Sequence, residues 1–217
     1  GKLRYNAVNI SDYPAVGDFV MMDENDGNAI IRHILTRKSA FVRKAAGTSN
    51  SDQVVAANVD TVFICMSLNK DFNLRRLERY RSIGWDSGAV PVLVLTKSDL
   101  CENIEDIMDD LDDVALGLEI IITSSLKDDF ANIKKYIKYG QTVAFIGSSG
   151  VGKTTLINKL IGENIFETKE LRNDDRGRHT TTKRQLILLP GNGIVIDTPG
   201  MRELGIESAD FSKAFAD

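Results

Sequence analysis

The sequence has little cysteine, no long apolar run and no large excess of either charge. Its two cysteines, Cys65 and Cys101, fall in or beside apolar stretches without Cys-x-x-Cys spacing or a neighbouring histidine. A disulfide scaffold and a cysteine zinc cluster are therefore excluded within these residues, and a reducing cytoplasmic setting is expected. No stretch approaches the ~20 apolar residues that cross a bilayer, and no signal-peptide core is visible, so no membrane attachment is expected. Internal repeats and low-complexity segments are lacking too. The formal charge is −4, from 27 basic and 31 acidic side chains. The molecule as a whole is not a polycation, so any polyanion contact must use a local patch. Such a patch is best placed in the first 50 residues, which carry 7 basic against 5 acidic side chains; the remainder carries 20 against 26. The chain opens at Gly1, which points to trimming at the N-terminus.

What is present is an ordinary globular composition. There are 217 residues, 42% hydrophobic and 27% charged, enough to bury a core and too apolar for disorder. Residues 1–50 read as short β segments: Asp18–Met22, a turn cluster at 23–28, then Ala29–Leu35. That rhythm suits a small barrel or hairpin sheet. Residues 46–53 are small and polar and read as a linker. Two domains are expected, 1–50 and 51–217. In the second, apolar runs alternate with helix-length amphipathic segments. Strands are expected at 62–66, 90–95, 119–123 and 142–146, and helices at 73–85, 102–114, 128–139 and 153–161, the last stopped by Gly162. A hairpin over Pro190-Gly191-Asn192-Gly193 joins strands at 185–189 and 194–197. Continuous β-branched runs between helices predict an α/β fold with a mainly parallel, doubly covered sheet.

The strongest motif is Gly147-Ser148-Ser149-Gly150-Val151-Gly152-Lys153-Thr154. It matches G-x-x-x-x-G-K-[ST] and lies between an expected strand and an expected helix. Glycines let backbone N–H groups converge on an anion, and a helix N-terminus adds partial positive charge. Lys153 would reach the β- and γ-phosphates, and the Thr154 hydroxyl would ligate Mg²⁺. The loop alone does not name the nucleotide.

Thr96-Lys97-Ser98-Asp99 ends an expected strand, where ligands sit in open α/β sheets. An Asp here can accept from guanine N1–H and the exocyclic amine; adenine would face the carboxylate with a lone pair. Unpaired buried groups of this kind discriminate by ~10⁴ or more. The Lys97 stem can lie along the base plane. The alternative is a plain turn with Asp99 as a helix cap. Thr123-Ser124-Ser125 ends the next strand, and a backbone N–H at Ser124 or Ser125 could meet the guanine O6; a serine there is also a common cap.

Asp197-Thr198-Pro199-Gly200 follows the last strand as D-x-x-G. Asp197 would hold Mg²⁺ through water, and the Gly200 N–H would sense the γ-phosphate. The polar stretch 174–182 has the place of a switch. Within it Thr181 is the first choice to close on Mg²⁺ and Thr180 the second. Many GTPases follow D-x-x-G with a water-orienting glutamine. Met201 stands there instead, so hydrolysis should be slow unless another group orients the water. His179 can handle a proton near neutral pH; the other reading is an exposed loop histidine. His33, in an apolar β run, reads as structural. Lys153, His179, Thr181 and Gly200 make up the expected catalytic set.

These motifs come in a rearranged order: base recognition, serine turn, phosphate loop, switch threonines, D-x-x-G. Ordinary small GTPases begin with the phosphate loop, so the order is that of a circular permutation. On residues 11–18, 57–64, 72–80, 147–155, 177–182 and 197–204 the sequence resembles the circularly permuted, ribosome small-subunit-dependent GTPase A family (RsgA). The resemblance spans nearly the whole chain. It implies an OB-type β-barrel, here partial, followed by a permuted GTPase domain, and extends the nucleotide contacts to Thr155. It implies a late role in maturation of the small ribosomal subunit, with hydrolysis stimulated by that subunit, and contacts to its rRNA. A hydrophobic residue after D-x-x-G belongs to the same pattern.

Departures are also visible. The family's zinc-binding segment has no counterpart before Asp217, so zinc is assigned to no residue here, and the first barrel strands have no counterpart either. Thr96 replaces an asparagine common in GTPases, which should weaken cross-links between base site and phosphate loop. Gly150 replaces the asparagine of potassium-dependent relatives. For RNA, Arg32, Arg37, Lys38, Arg43, Lys44 and Phe41 are the barrel candidates, with Arg75, Arg76, Arg79 and Arg81 as a second basic face. The acidic helix at 102–113 should face water. The expected activity is GTP hydrolysis with Mg²⁺ by a cytoplasmic monomer that binds GTP or GDP. Its rivals are a nucleotide-gated RNA-binding module with negligible turnover and an ATP-dependent P-loop enzyme.

Overall fold

The computed structural model describes residues 10–25, 27–44, 52–69, 71–124, 130–162, 185–197, 201 and 204. At the N-terminal side, β1 (Val20–Asn25) and β2 (Asn28–Ile34) form an antiparallel hairpin with a bulge at Met21/Met22. Next, β3 (Ala40–Lys44) pairs antiparallel with β4 (Asp52–Ala57). The linker expected over 46–53 therefore ends before Asp52. Its last two residues lead a strand whose apolar part is only four residues long, and polar Asp52 and Gln53 hid that start.

Six strands then make one sheet: β5 (Thr61–Ser67), β6 (Val90–Thr96), β7 (Glu119–Ile122), β8 (Thr142–Ile146), β9 (Gln185–Leu188) and β10 (Ile194–Asp197). Their order is β7-β6-β5-β8-β10-β9. All neighbours are parallel except β9, which pairs antiparallel with β10. The expected α/β fold with one antiparallel strand is present. At the hairpin, Gly191 and Asn192 take positive φ (89° and 62°), as so tight a reversal requires.

Successive strand residues point to opposite faces, and the core divides accordingly. Val62, Ile64, Met66, Leu93, Leu95 and Ile146 pack on one side with Leu77 and Tyr80 of α1 (Leu74–Asp86) and Leu111 of α2 (Ile104–Leu111). Phe63, Cys65, Val92, Val94, Phe145 and Val195 pack on the other with Ile133 of α3 (Ala131–Lys134) and Leu156, Ile157 and Leu160 of α4 (Lys153–Ile161). Burial on both faces explains why these strands read as unbroken apolar runs.

Two helices are shorter than their patterns suggest. The acidic one keeps only Ile104–Leu111, with Glu105, Asp106, Asp109 and Asp110 facing water as expected. The helix expected over 128–139 has one α turn. Beyond it the chain tightens into bonds three residues back, Tyr136 N to Ile133 O and Ile137 N to Lys134 O. By contrast α4 stops where expected: Gly162, at φ 81°, donates to Asn158 O at 2.9 Å.

The five parallel strands bring their C-terminal ends to one edge. There β5 is followed in the chain by β6 on one side, and β8 by β9 and β10 on the other, so β5 and β8 are neighbours whose following strands lie on opposite sides. A crevice at that point is where ligands bind in open α/β sheets.

Candidate nucleotide-binding site

The loop after β8 starts at Gly147 with φ 145°. A Cβ there would lie 2.4 Å from the Cys65 carbonyl oxygen on β5, so only glycine lets the loop press on its neighbour strand. Gly150 and Gly152 also take positive φ (78° and 99°), and Gly152 is the residue from which α4 begins. Lys153, Thr154 and Thr155 fill the first turn of that helix, all partly exposed. The Lys153 ammonium donates to the carbonyls of Gly147 and Ser148, both at 2.6 Å. It is thus held over the loop it would serve. Burial pushes the Cys65 thiol up to about 12, with the Lys153 charge pulling the other way.

Thr96, at the end of β6, is buried. Its hydroxyl lies 2.5 Å from Val151 O and 3.3 Å from Met66 O. With one hydrogen to give, it donates to the nearer oxygen, inside the phosphate loop. Thr96 thus ties the base site to the phosphate loop through its hydroxyl, without the carboxamide that asparagine would bring. Lys97 turns the chain in the left-handed region (φ 56°), and Ser98–Leu100 form a 3-10 turn. The Ser124 hydroxyl donates to Asp99 Oδ1 at 2.5 Å, and Ser98 N donates to Thr123 O at 3.2 Å. Segments 96–99, 123–124 and 147–154 are thus stitched into one edge of the sheet.

Asp197 is buried at the end of β10. The register of β10 on β8, Ile196 beside Ala144, sets it next to Phe145, two residues before Gly147. Met201 is buried in the core with Ile196, and partly buried Leu204 packs there. Met201 is 1% exposed, and its thioether offers only a weak acceptor where many GTPases carry a glutamine amide. Ser125, His179, Thr180, Thr181, Thr182 and Gly200 lie outside the described residues. Among those described, no three His, Cys, Asp or Glu gather to hold a metal, and no helix is long and apolar enough to cross a membrane.

The basic residues proposed for RNA are largely engaged within the chain. Phe41 is 1% exposed and unavailable for stacking. Arg37 clamps Asp18 with two bonds (2.7 and 2.8 Å) and also donates to Ser11 O and Tyr13 O. The hydrogen bonds to Asp18 raise the pKa of the Arg37 guanidinium, against the opposing effect of burial. Arg32 pairs with Asp23, Lys38 with Asp60, and Arg43 bonds Gln53. On α1, Arg81 donates to Val114 O and Arg79 lies over the Tyr80 ring. His33 is exposed on β2, opposite Met21.

Sequence reasoning missed one group at the site. Asp71, just before α1, and Arg76 both reach Ser148 of the phosphate loop. In the sequence Arg76 is one of several arginines on a basic helix, and no local signal separates it from Arg75.

The RsgA GTPase family model matches residues 34–207. The chain belongs to the RsgA GTPase family. A small ribosomal subunit biogenesis GTPase RsgA 2 of Lactiplantibacillus plantarum is 50% identical over 100% of this chain and 62% of its own length. A small ribosomal subunit biogenesis GTPase RsgA of Methanosarcina acetivorans is 44% identical over 96% of this chain and 58% of its own. The chain thus spans about three fifths of the curated relatives it matches. Among solved structures, YjeQ from Thermotoga maritima superposes with a TM-score of 0.67 at 26% identity, covering 94% of this chain and 66% of that one. YloQ, described as a circularly permuted GTPase, gives 0.63 at 25%, covering 95% and 62%. The family's fold accounts for the order of the loops: permutation moves the termini while each loop stays at the end of its own strand.

Proposed function

We propose that this chain binds GTP at the edge built by residues 96–99, 123–124 and 147–155, with Ser125 as a further proposed contact, and hydrolyses it in the course of small ribosomal subunit maturation. The observation that carries the reading is the Thr96 hydroxyl on Val151 O, which joins the base-selecting turn to the phosphate loop. The names of the relatives, small ribosomal subunit biogenesis GTPases, supply the setting. The division of labour follows the sequence: a barrel part over 1–50, with β4 associated by its pairing to β3, and a GTPase part after it.

In this reading Asp99 accepts from the guanine edge, while Ser124 holds the carboxylate in place. Backbone N–H groups of 147–152 and the α4 N-terminus receive the phosphates. Lys153, already fixed by two loop carbonyls, supplies charge where negative charge grows during in-line attack of water. The Thr154 hydroxyl, in the first turn of α4, and the Asp197 carboxylate, at the end of β10, are hard oxygen donors of the kind Mg²⁺ takes; Thr181 is the third proposed ligand. When bound, Mg²⁺ neutralises phosphate charge. Gly200 N–H meets the γ-phosphate. His179 is the group proposed to position water, because Met201 is buried away from it. The protein works as a cytoplasmic monomer whose turnover is slow until the small subunit and its rRNA order the switches.

The test is a GTPase assay with and without small subunits, run beside Asp99→Asn. Stimulation by subunits and a loss of preference for GTP over ATP on Asp99→Asn are expected. Unchanged GTP/ATP selectivity would overturn the base-site assignment. An absence of stimulation, with no loss on His179→Ala, would leave the nucleotide-gated binding module as the better reading.

A further inference from the structure

We infer that Asp71, Arg76 and Ser148 form a brace that holds the phosphate loop ready for nucleotide, Asp71 and Arg76 being positioning residues that act on Lys153 through Ser148. The inference rests on the nucleotide reading above. Ser148 is used at both ends. Its hydroxyl donates to Asp71 Oδ2 at 3.0 Å and accepts from Arg76 Nη1 at 3.1 Å. Its carbonyl, with that of Gly147, takes the Lys153 ammonium at 2.6 Å. Arg76 closes the triangle by donating to Asp71 Oδ2 at 2.9 Å and to Asp71 O at 3.3 Å.

The segment that carries the brace is itself built. The Asn69 side chain accepts from the Ser67 hydroxyl at 2.9 Å and from Asp71 N at 3.0 Å, and Phe72 N returns to Asn69 O. Asn73 then caps α1 by accepting from Arg76 N at 2.9 Å. Arg76 is therefore fixed at both backbone and guanidinium. Sign matters as well as geometry. A carboxylate touching a loop meant for polyphosphate would repel its ligand, and Arg76 neutralises it at contact. Removing Arg76 alone should accordingly do more harm than removing Arg76 and the Asp71 charge together.

The test titrates the full chain with fluorescent GDP and a non-hydrolysable GTP analogue, and follows thermal melting in parallel. Arg76→Ala should weaken binding about five- to tenfold, as for a partly exposed charged hydrogen bond, and more for the triphosphate than for the diphosphate. The deficit should shrink at high salt. Adding Asp71→Asn to Arg76→Ala should recover most of it, while Arg75→Ala should bind as wild type does. A merely structural arginine would lower the melting point without this charge rescue. Arg76→Ala within twofold of wild type, or a double variant as poor as the single one, would overturn the brace. Should Arg76→Ala not fold, Arg76→Lys and Ser148→Ala decide: lysine should keep most affinity and alanine lose it, and the reverse order refutes the inference. Wild type that binds neither nucleotide would instead bring down the underlying reading, and the brace with it.

Discussion

Thr96→Val tests the joint on which the site depends. Valine keeps the shape of threonine and deletes only the hydroxyl, so the perturbation is the loss of one donor in a buried place. Val151 O, 2.5 Å away, loses that donor, and Met66 O, at 3.3 Å, loses its weaker neighbour. A buried acceptor left unpaired costs about 1–3 kcal/mol. We expect destabilisation of ~2 kcal/mol, well short of the ~5–15 kcal/mol that holds a domain folded. Thr96→Ser keeps the donor and loses one methyl, worth ~0.8 kcal/mol. Urea denaturation reads the difference as a shift in midpoint at constant slope. A nucleotide titration of the same variants should show valine weaker than serine, because the loops at 96–99 and 147–154 are no longer tied. Two results would refute the reasoning: valine within ~0.5 kcal/mol of wild type, or valine and serine losing equally.

Two more perturbations separate cause from effect elsewhere. Gly147→Ala places a Cβ 2.4 Å from Cys65 O at φ 145°, whereas Gly150→Ala meets nothing within 4 Å and carries only the strain of φ 78°. Denaturation should find the first costing ~3 kcal/mol or more and the second ~1 kcal/mol; equal costs would mean that the loop does not press on β5. At Tyr136, burial first and then the bond to Glu119 push the phenol up to about 12 from 10.0. The folded state then holds its proton where the unfolded state gives it up. This contribution is intact below pH 10 and is lost as pH rises through 12. Glu119→Gln should lower the Tyr136 midpoint, read as tyrosinate absorbance against Tyr136→Phe; an unmoved midpoint would mean that burial alone sets it.

Local chemistry wrote much of this protein into its sequence. The buried strands, the glycine cradle, the stop at Gly162 and the turn at 190–193 each depend on residues within a few positions of one another, so pattern and turn residues were enough to place them. Helix ends were less readable, because at 128–139 the amphipathic pattern outlasts the α turn and the chain tightens instead. What only tertiary structure decided are the bonds between distant segments. Thr96 and Val151 lie 55 positions apart, Arg76 and Ser148 72, and Asp71 and Ser148 77. Strand order sets such pairs: β5 had to lie between β6 and β8 before any of them could meet. The same holds for the charges. Arg37 and Lys38 looked like ligand-binding cations until the fold delivered Asp18 and Asp60 to them, since a cation's partner is settled by which carboxylate the chain brings within reach.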